Sequence, residues 1–195
     1  TSLFEDSHGL LWIGTDKDLN VLDKTTGKFY NYLNSYNKPE KAQNDLKIRS
    51  IIEDDNGVIW IGTKIGIYKV IKNKDTPFSF NFSLIETNNN KKNIPIFKLL
   101  KTSNGDILVG TNKGIKRVTH EKNTKILDAT PVFENIKQLE KLVIHSIYED
   151  LLNTIWIGTR QGLYKITNDT LTNTEKIEKI ELNKYSTGII SISPG

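Results

Sequence analysis

Short apolar runs separated by polar, glycine-bearing turns fill this chain from end to end. Leu3-Phe4 leads into Glu5-Asp6-Ser7-His8-Gly9, and Leu10 to Thr15 follows. The same order recurs as Ile48 to Ile52, Glu53-Asp54-Asp55-Asn56-Gly57, and Val58 to Thr63. A polar turn closed by Gly between two apolar runs predicts a β-hairpin, because the turn needs backbone at positive φ. Gly9, Gly57 and Gly105 hold equivalent places, and Asn153 takes the fourth. Asn is the next best residue for that conformation. The runs Leu10 to Thr15, Val58 to Thr63, Ile107 to Thr111 and Thr154 to Thr159 are too short and too β-branched for helices.

A second tight turn follows, as Lys64-Ile65-Gly66, Asn112-Lys113-Gly114 and Arg160-Gln161-Gly162, with Asp18 in the Gly place of the first unit. Third strands are expected at Leu19 to Leu22, Ile67 to Val70, Ile115 to Val118 and Leu163 to Ile166. Fourth strands are expected at Lys28 to Leu33, Phe78 to Leu84, Thr124 to Leu127 and Ile177 to Leu182. Long polar linkers separate the units, with one short helical turn expected between Phe133 and Leu142. Gly188 to Ser193 looks like the opening strand of a fifth unit.

The pattern keeps a fixed step. Trp12-Ile13-Gly14-Thr15, Trp60-Ile61-Gly62-Thr63, Leu108-Val109-Gly110-Thr111 and Trp156-Ile157-Gly158-Thr159 lie 48 residues apart. Four strands in a repeat of this length, with an aromatic on an inner strand, describe a propeller blade. The expected fold is all-β, with each blade a four-stranded antiparallel sheet. About four blades are present, part of a larger ring of about seven. Their bounds are 1–47, 48–93, 94–142 and 143–187, with a fifth starting at 188–195. A self-closed four-bladed ring is the alternative. Trp12, Trp60 and Trp156 are expected to fill the space between blades. Gly14, Gly62, Gly110 and Gly158 interrupt a strand, which implies close approach by a neighbour. Gly66, Gly114 and Gly162 serve the second turn.

Composition narrows this picture only a little. The net charge of +4 is spread along the chain, which gives no reason to expect nucleic acid as a partner. There is no Cys, so disulfides and thiolate metal sites are excluded. With no Met and a start at Thr1, the chain reads as a piece of something longer. No apolar run approaches the roughly 18 residues of a membrane span, so no direct membrane contact is expected of it.

Glu53 to Val70, with Leu3 to Thr15 and Ile147 to Ile166, resembles the two-component regulator propeller repeat: apolar strand, Glu-Asp, turn Gly, Trp-Ile-Gly-Thr, turn Gly, then Leu or Ile-Tyr. The third unit keeps Gly105, Gly110, Thr111 and Gly114 but carries Lys101-Thr102 and Leu108 in place of Glu-Asp and Trp. The resemblance implies a sensor region in the periplasm, part of an inner-membrane histidine kinase of the hybrid two-component kind found in gut Bacteroides. It implies recognition of an oligosaccharide, often as a homodimer, with further blades and membrane-linked domains as partners. Any kinase chemistry would belong to the parent, since no nucleotide loop or kinase signature occurs here.

The acidic pairs Glu5-Asp6, Glu53-Asp54 and Glu149-Asp150 fall one per blade, which suits turn capping and not a converging metal site. Thr15, Thr63, Thr111 and Thr159 have no recurring general base beside them, so strand-end hydrogen bonding is expected. His8, His120 and His145 lack partners at ligand spacing. Neither catalytic residue, metal nor cofactor is expected. In a four-stranded meander the second turns and the variable linkers share one face, and function tends to reside in such loops. The ligand-contact candidates on that face are Lys17, Tyr36, Lys64, Asn112, Lys113, Arg160 and Gln161. Their amide and basic groups suit sugar hydroxyls or a uronic or sulfate group, and Tyr36 suits stacking on a sugar ring. A propeller-type glycan lyase or hydrolase, and a protein-binding scaffold, are the rival readings.

Overall fold

The computed structural model describes residues 1–32, 46–73, 78–87, 94–118, 126–127, 139–169 and 174–181. The first sheet is a meander of β1 (Ser2–Glu5), β2 (Leu10–Gly14), β3 (Leu19–Asp23) and β4 (Lys28–Asn31). The second contains β5 (Ser50–Glu53), β6 (Ile59–Gly62), β7 (Ile67–Lys72) and β8 (Phe80–Thr87). The third has β9 (Ile96–Lys101), β10 (Ile107–Thr111) and β11 (Gly114–Val118). The fourth has β13 (Ile144–Glu149), β14 (Ile155–Thr159), β15 (Gly162–Asp169) and β16 (Thr174–Ile180). Pairing within each meander is antiparallel throughout. The turn between β13 and β14 places Asn153 at φ 59°, matching the positive φ of Gly9, Gly57 and Gly105.

One strand departs from expectation. Residues Thr124 to Leu127 should close the third sheet, but the described part, β12 (Ile126–Leu127), pairs in parallel with Glu86 and Thr87 of β8. Among the described residues the second sheet therefore has five strands and the third has three. β8 also runs on to Thr87, into the expected linker, and so offers a long edge. The short helical turn expected before Leu142 is a 3₁₀ turn at Leu139–Lys141.

Each core lies between two sheets rather than within one. Trp12, Val21 and Leu19 pack with Ile48, Ile51, Ile61 and Val70 of the next unit. Trp60 packs with Ile96, Leu99 and Val109, and Leu108 packs with Ile144, Ile147 and Ile157. The glycine of the second strand makes this stacking close. A Cβ on Gly14 would collide with Ile48, and one on Gly62 would stand 2.7 Å from Ile96 Cγ2. On Gly110 it would stand 2.9 Å from Ile144 Cγ2. The Ile that opens each unit thus rests on the bare backbone of the unit before it.

The first strands pack in series, β1 on β5, β5 on β9 and β9 on β13. They are therefore the strands nearest the axis about which the sheets are arranged. No comparable packing joins β13 to β1 among the described residues.

Candidate functional site

The two faces differ in how their polar groups are used. On the face of the first turns, the acidic pairs are consumed by structure. Asp54 Oδ1 accepts the N–H of Asn56 and of Val58, and Oδ2 accepts the indole N–H of Trp60 at 2.8 Å. Asp6 with Trp12, and Asp150 with Trp156, repeat the arrangement at the same distance of 2.8 Å. The Trp156 hydrogen bond and those from Thr154 and Leu152 hold the Asp150 carboxyl below its ordinary range. In the third unit Leu108 has no N–H to satisfy, and Thr102 replaces the Asp. The two losses go together for a physical reason.

Glu5 pairs with Lys24 of its own unit, whereas Glu53 and Glu149 reach backwards. Glu53 accepts the backbone N–H and hydroxyl of Ser7 in the preceding unit, both at 2.7 Å. Glu149 does the same for Ser103. Between the second and third units the charges are reversed, with Lys101 in the Glu place and Asp55 in the Ser place, joined as an ion pair.

On the opposite face, the repeated Thr pins each second turn. Thr63 Oγ1 donates to Gly66 O at 2.9 Å, and Thr111 and Thr159 do likewise to Gly114 and Gly162. Thr15 donates to Asp18 O. Lys17, Lys64, Asn112, Lys113, Arg160 and Gln161 sit exposed on these pinned turns. The turns join second to third strands, so they stand farther from the axis than the beginnings of the first strands. Tyr36 lies outside the described residues.

Closest to the axis on this face is a group that the sequence reading did not single out. Arg49, Phe97 and His145 occupy one register position, 48 residues apart. The Arg49 guanidinium lies 4.3 Å above the Phe97 ring centre, and Phe97 meets the His145 ring edge-to-face at 5.1 Å. Both Phe97 and His145 sit at β-bulges. Thr111 pairs with Ile96 and Gly110 with Lys98, which leaves Phe97 as the extra residue. Thr159 and Gly158 likewise pair with Ile144 and Ser146, leaving His145. Arg49 has the corresponding place: its N–H donates to Gly62 O while Ser50 is the ladder partner of Gly62. A bulge turns its extra side chain out of the ladder's alternation. Two bulges, together with the corresponding place of Arg49 just before β5, therefore deliver three unlike side chains to one column.

The column is electropositive. Burial pushes the His145 imidazole down from its ordinary range, and the cationic Arg160 and Arg49 push the same way. Arg160, a sequence candidate on the second turn of the fourth unit, is one of the cations that push it down. Arg49 Nη1 and His145 Nε2 are buried without a hydrogen-bond partner among the described residues. The 48-residue step was the available signal, but it was followed through repeated residues, whereas this column is a register position whose residue type changes.

Comparison with known proteins agrees with this architecture. Residues 1–17 and 43–64 match the family described as "Two component regulator propeller". None of the curated proteins compared matches the chain. Among solved structures, the extracellular domain of BT4673 from B. thetaiotaomicron, a candidate hybrid two-component system, is 24% identical with a TM-score of 0.65. The match covers 87% of this chain and 21% of that one. PorZ, a surface component of the type-IX secretion system of Porphyromonas gingivalis, is 19% identical with a TM-score of 0.71, over 98% of this chain and 29% of its own. Virginiamycin B lyase from Staphylococcus aureus is 18% identical with a TM-score of 0.60, over 93% of this chain and 55% of its own.

These sheets are blades of propeller type. Residues 1–17 and 43–64 are similar to the two-component regulator propeller repeat, and the chain shares its fold with the extracellular domain of BT4673. It spans about a fifth of that domain's length.

Proposed function

We propose that this chain is part of the periplasmic sensor propeller of a two-component histidine kinase. It is non-catalytic, it recognises an oligosaccharide, and binding is passed across the membrane through the parent's other domains. The observation that carries the reading is the column of Arg49, Phe97 and His145. It brings variable chemistry to the axis of an otherwise repeating scaffold, on the face where the variable linkers emerge. Rigid repeats that vary at one central position suit ligand discrimination.

The same reading includes further blades around the ring. Leu3 is 64% exposed, whereas its register equivalents Ile51, Leu99 and Ile147 are 5%, 1% and 1% exposed against the preceding sheet. At the other end, Trp156 is only partly buried, unlike Trp12 and Trp60. The buried hydroxyl of Ser146 also lacks a partner among the described residues, whereas Ser50 Oγ accepts the Leu99 N–H of the next sheet at 3.0 Å. Each flank has the form of a blade-to-blade surface.

Calorimetric titration of the protein at its full natural length against plant, microbial and host oligosaccharides tests the sensor reading. Micromolar binding of one glycan without turnover is the expected result. Release of sugar products would favour a lyase or hydrolase instead, a reading supported by the axial His145 and the fold shared with virginiamycin B lyase. Binding of no glycan, with capture of a protein by the exposed faces, would favour a scaffold.

A further inference from the structure

Within the column, the Arg49 guanidinium and the His145 imidazole both lie against one ring, that of Phe97, and Arg160 stands on the second turn of the unit that carries His145. Among the described residues, neither Arg49 nor Arg160 has a carboxylate in ion-pair contact. Phe97 holds the Arg49 guanidinium against its face, which orders the cation without satisfying its N–H groups. Among the described residues Arg49 Nη1 and His145 Nε2 are buried without a partner, and such groups are costly unless something completes them. A neutral hydroxyl would satisfy one hydrogen bond but leave the accumulated charge uncompensated. An anionic oxygen group answers both, because it accepts from a guanidinium and an imidazole at once and relieves their mutual repulsion.

We propose that the axial cluster of Arg49, His145 and Arg160 binds an acidic group, a carboxylate or a sulfate, carried by the saccharide that the propeller recognises. This names the ligand class of the sensor reading and rests on it. Arg49 and Arg160 supply guanidinium N–H donors to the anion. His145 takes up a proton as the anion arrives and then donates from Nε2. Phe97 keeps Arg49 in place and gives the site an apolar floor.

The test follows the His145 imidazole by NMR in the full-length protein labelled with ¹³C-histidine, the signal being assigned by its loss in His145→Gln. Sodium sulfate is titrated against sodium chloride at matched ionic strength. A galacturonic acid trimer is then compared with its carboxyl-reduced, neutral counterpart. Sulfate and the acidic trimer are expected to shift the His145 signal and raise its titration midpoint, while chloride and the neutral trimer leave it in place. Arg49→Gln and Arg160→Gln should each weaken the response by about tenfold or more, the loss of one charge-assisted hydrogen bond. Arg160 lies on an exposed turn, so its variant tests the site without threatening the fold. A His145 signal that responds no more to sulfate than to chloride, or arginine variants that respond like the parent, would overturn the assignment. A neutral glycan that binds while His145 stays silent leaves the sensor reading intact and removes this one. Sulfate binding in a protein that takes no glycan does the reverse.

Discussion

Asp54 performs three tasks with one carboxylate: it closes the first turn through two backbone N–H groups and satisfies the buried indole of Trp60. Asp54→Ala should therefore cost more than an ordinary cap. The orphaned indole alone is worth about 1–3 kcal/mol. Trp60→Ala removes the side chain that joins two sheets, and about 3–5 kcal/mol is expected. Denaturant unfolding midpoints would report both, and a loss below 1 kcal/mol at either position would refute the role given to it. Asp150 adds a pH signature. Its carboxyl is held below the ordinary carboxylate range by the Trp156 hydrogen bond, so the unfolded chain binds the proton more readily than the folded one does. Its contribution is complete above the ordinary carboxylate range and is lost as pH falls through the lowered folded value. Thermal melts down an acid series should show a steeper decline for the parent than for Asp150→Asn. Identical slopes would mean that Asp150 is not coupled to folding.

Between elements, the joints on the first-turn face follow one plan with one inversion. Glu53 to Ser7 and Glu149 to Ser103 are alike, whereas Lys101 and Asp55 stand in the same places with charge in both. Lys101→Glu would set two carboxylates against each other, at a cost of about 0.2–1 kcal/mol for an exposed pair. Adding Asp55→Ser rebuilds the Glu–Ser joint and should recover the loss. A double-mutant cycle measures this directly, and additive effects would contradict the joint. The strands themselves were legible in the sequence because turn residues and alternation point the same way, as at Asn56-Gly57 before Val58 to Thr63. The third unit's last strand was expected within Thr124 to Leu127, where β12 lies, but its partner was not legible. Two residues of pairing leave no periodic trace, and nothing local marks Ile126 for an edge belonging to β8.

Across the whole molecule, the repeat made the blades readable, and the same repeat drew attention away from the axis. Invariant Trp, Gly and Thr positions turned out to touch one another, not the outside. The unlike residues at Arg49, Phe97 and His145 carry the individuality. Their convergence depends on β-bulges, which hydrophobic alternation does not reveal. The candidates on the second turns follow from topology, and Arg160 among them adds to the downward push on the His145 imidazole. Ring size is testable at this scale as well. In the full-length protein, Leu3→Ser should cost about 1.5–3 kcal/mol if another blade covers Leu3. A change near zero would mean that this flank is free.

Hydrogen–deuterium exchange on the full-length protein, with and without the oligosaccharide that it binds most tightly, tests the sensing face most directly. The expected result is protection at the entries to the first strands, around Ile48 to Ser50, Ile96 to Lys98 and Ile144 to Ser146, with the second turn at Arg160. The first-turn face, from Asp54 to Val58 and from Asp150 to Thr154, should be unchanged. Protection confined to that opposite face, or to the outer strands, would contradict the account.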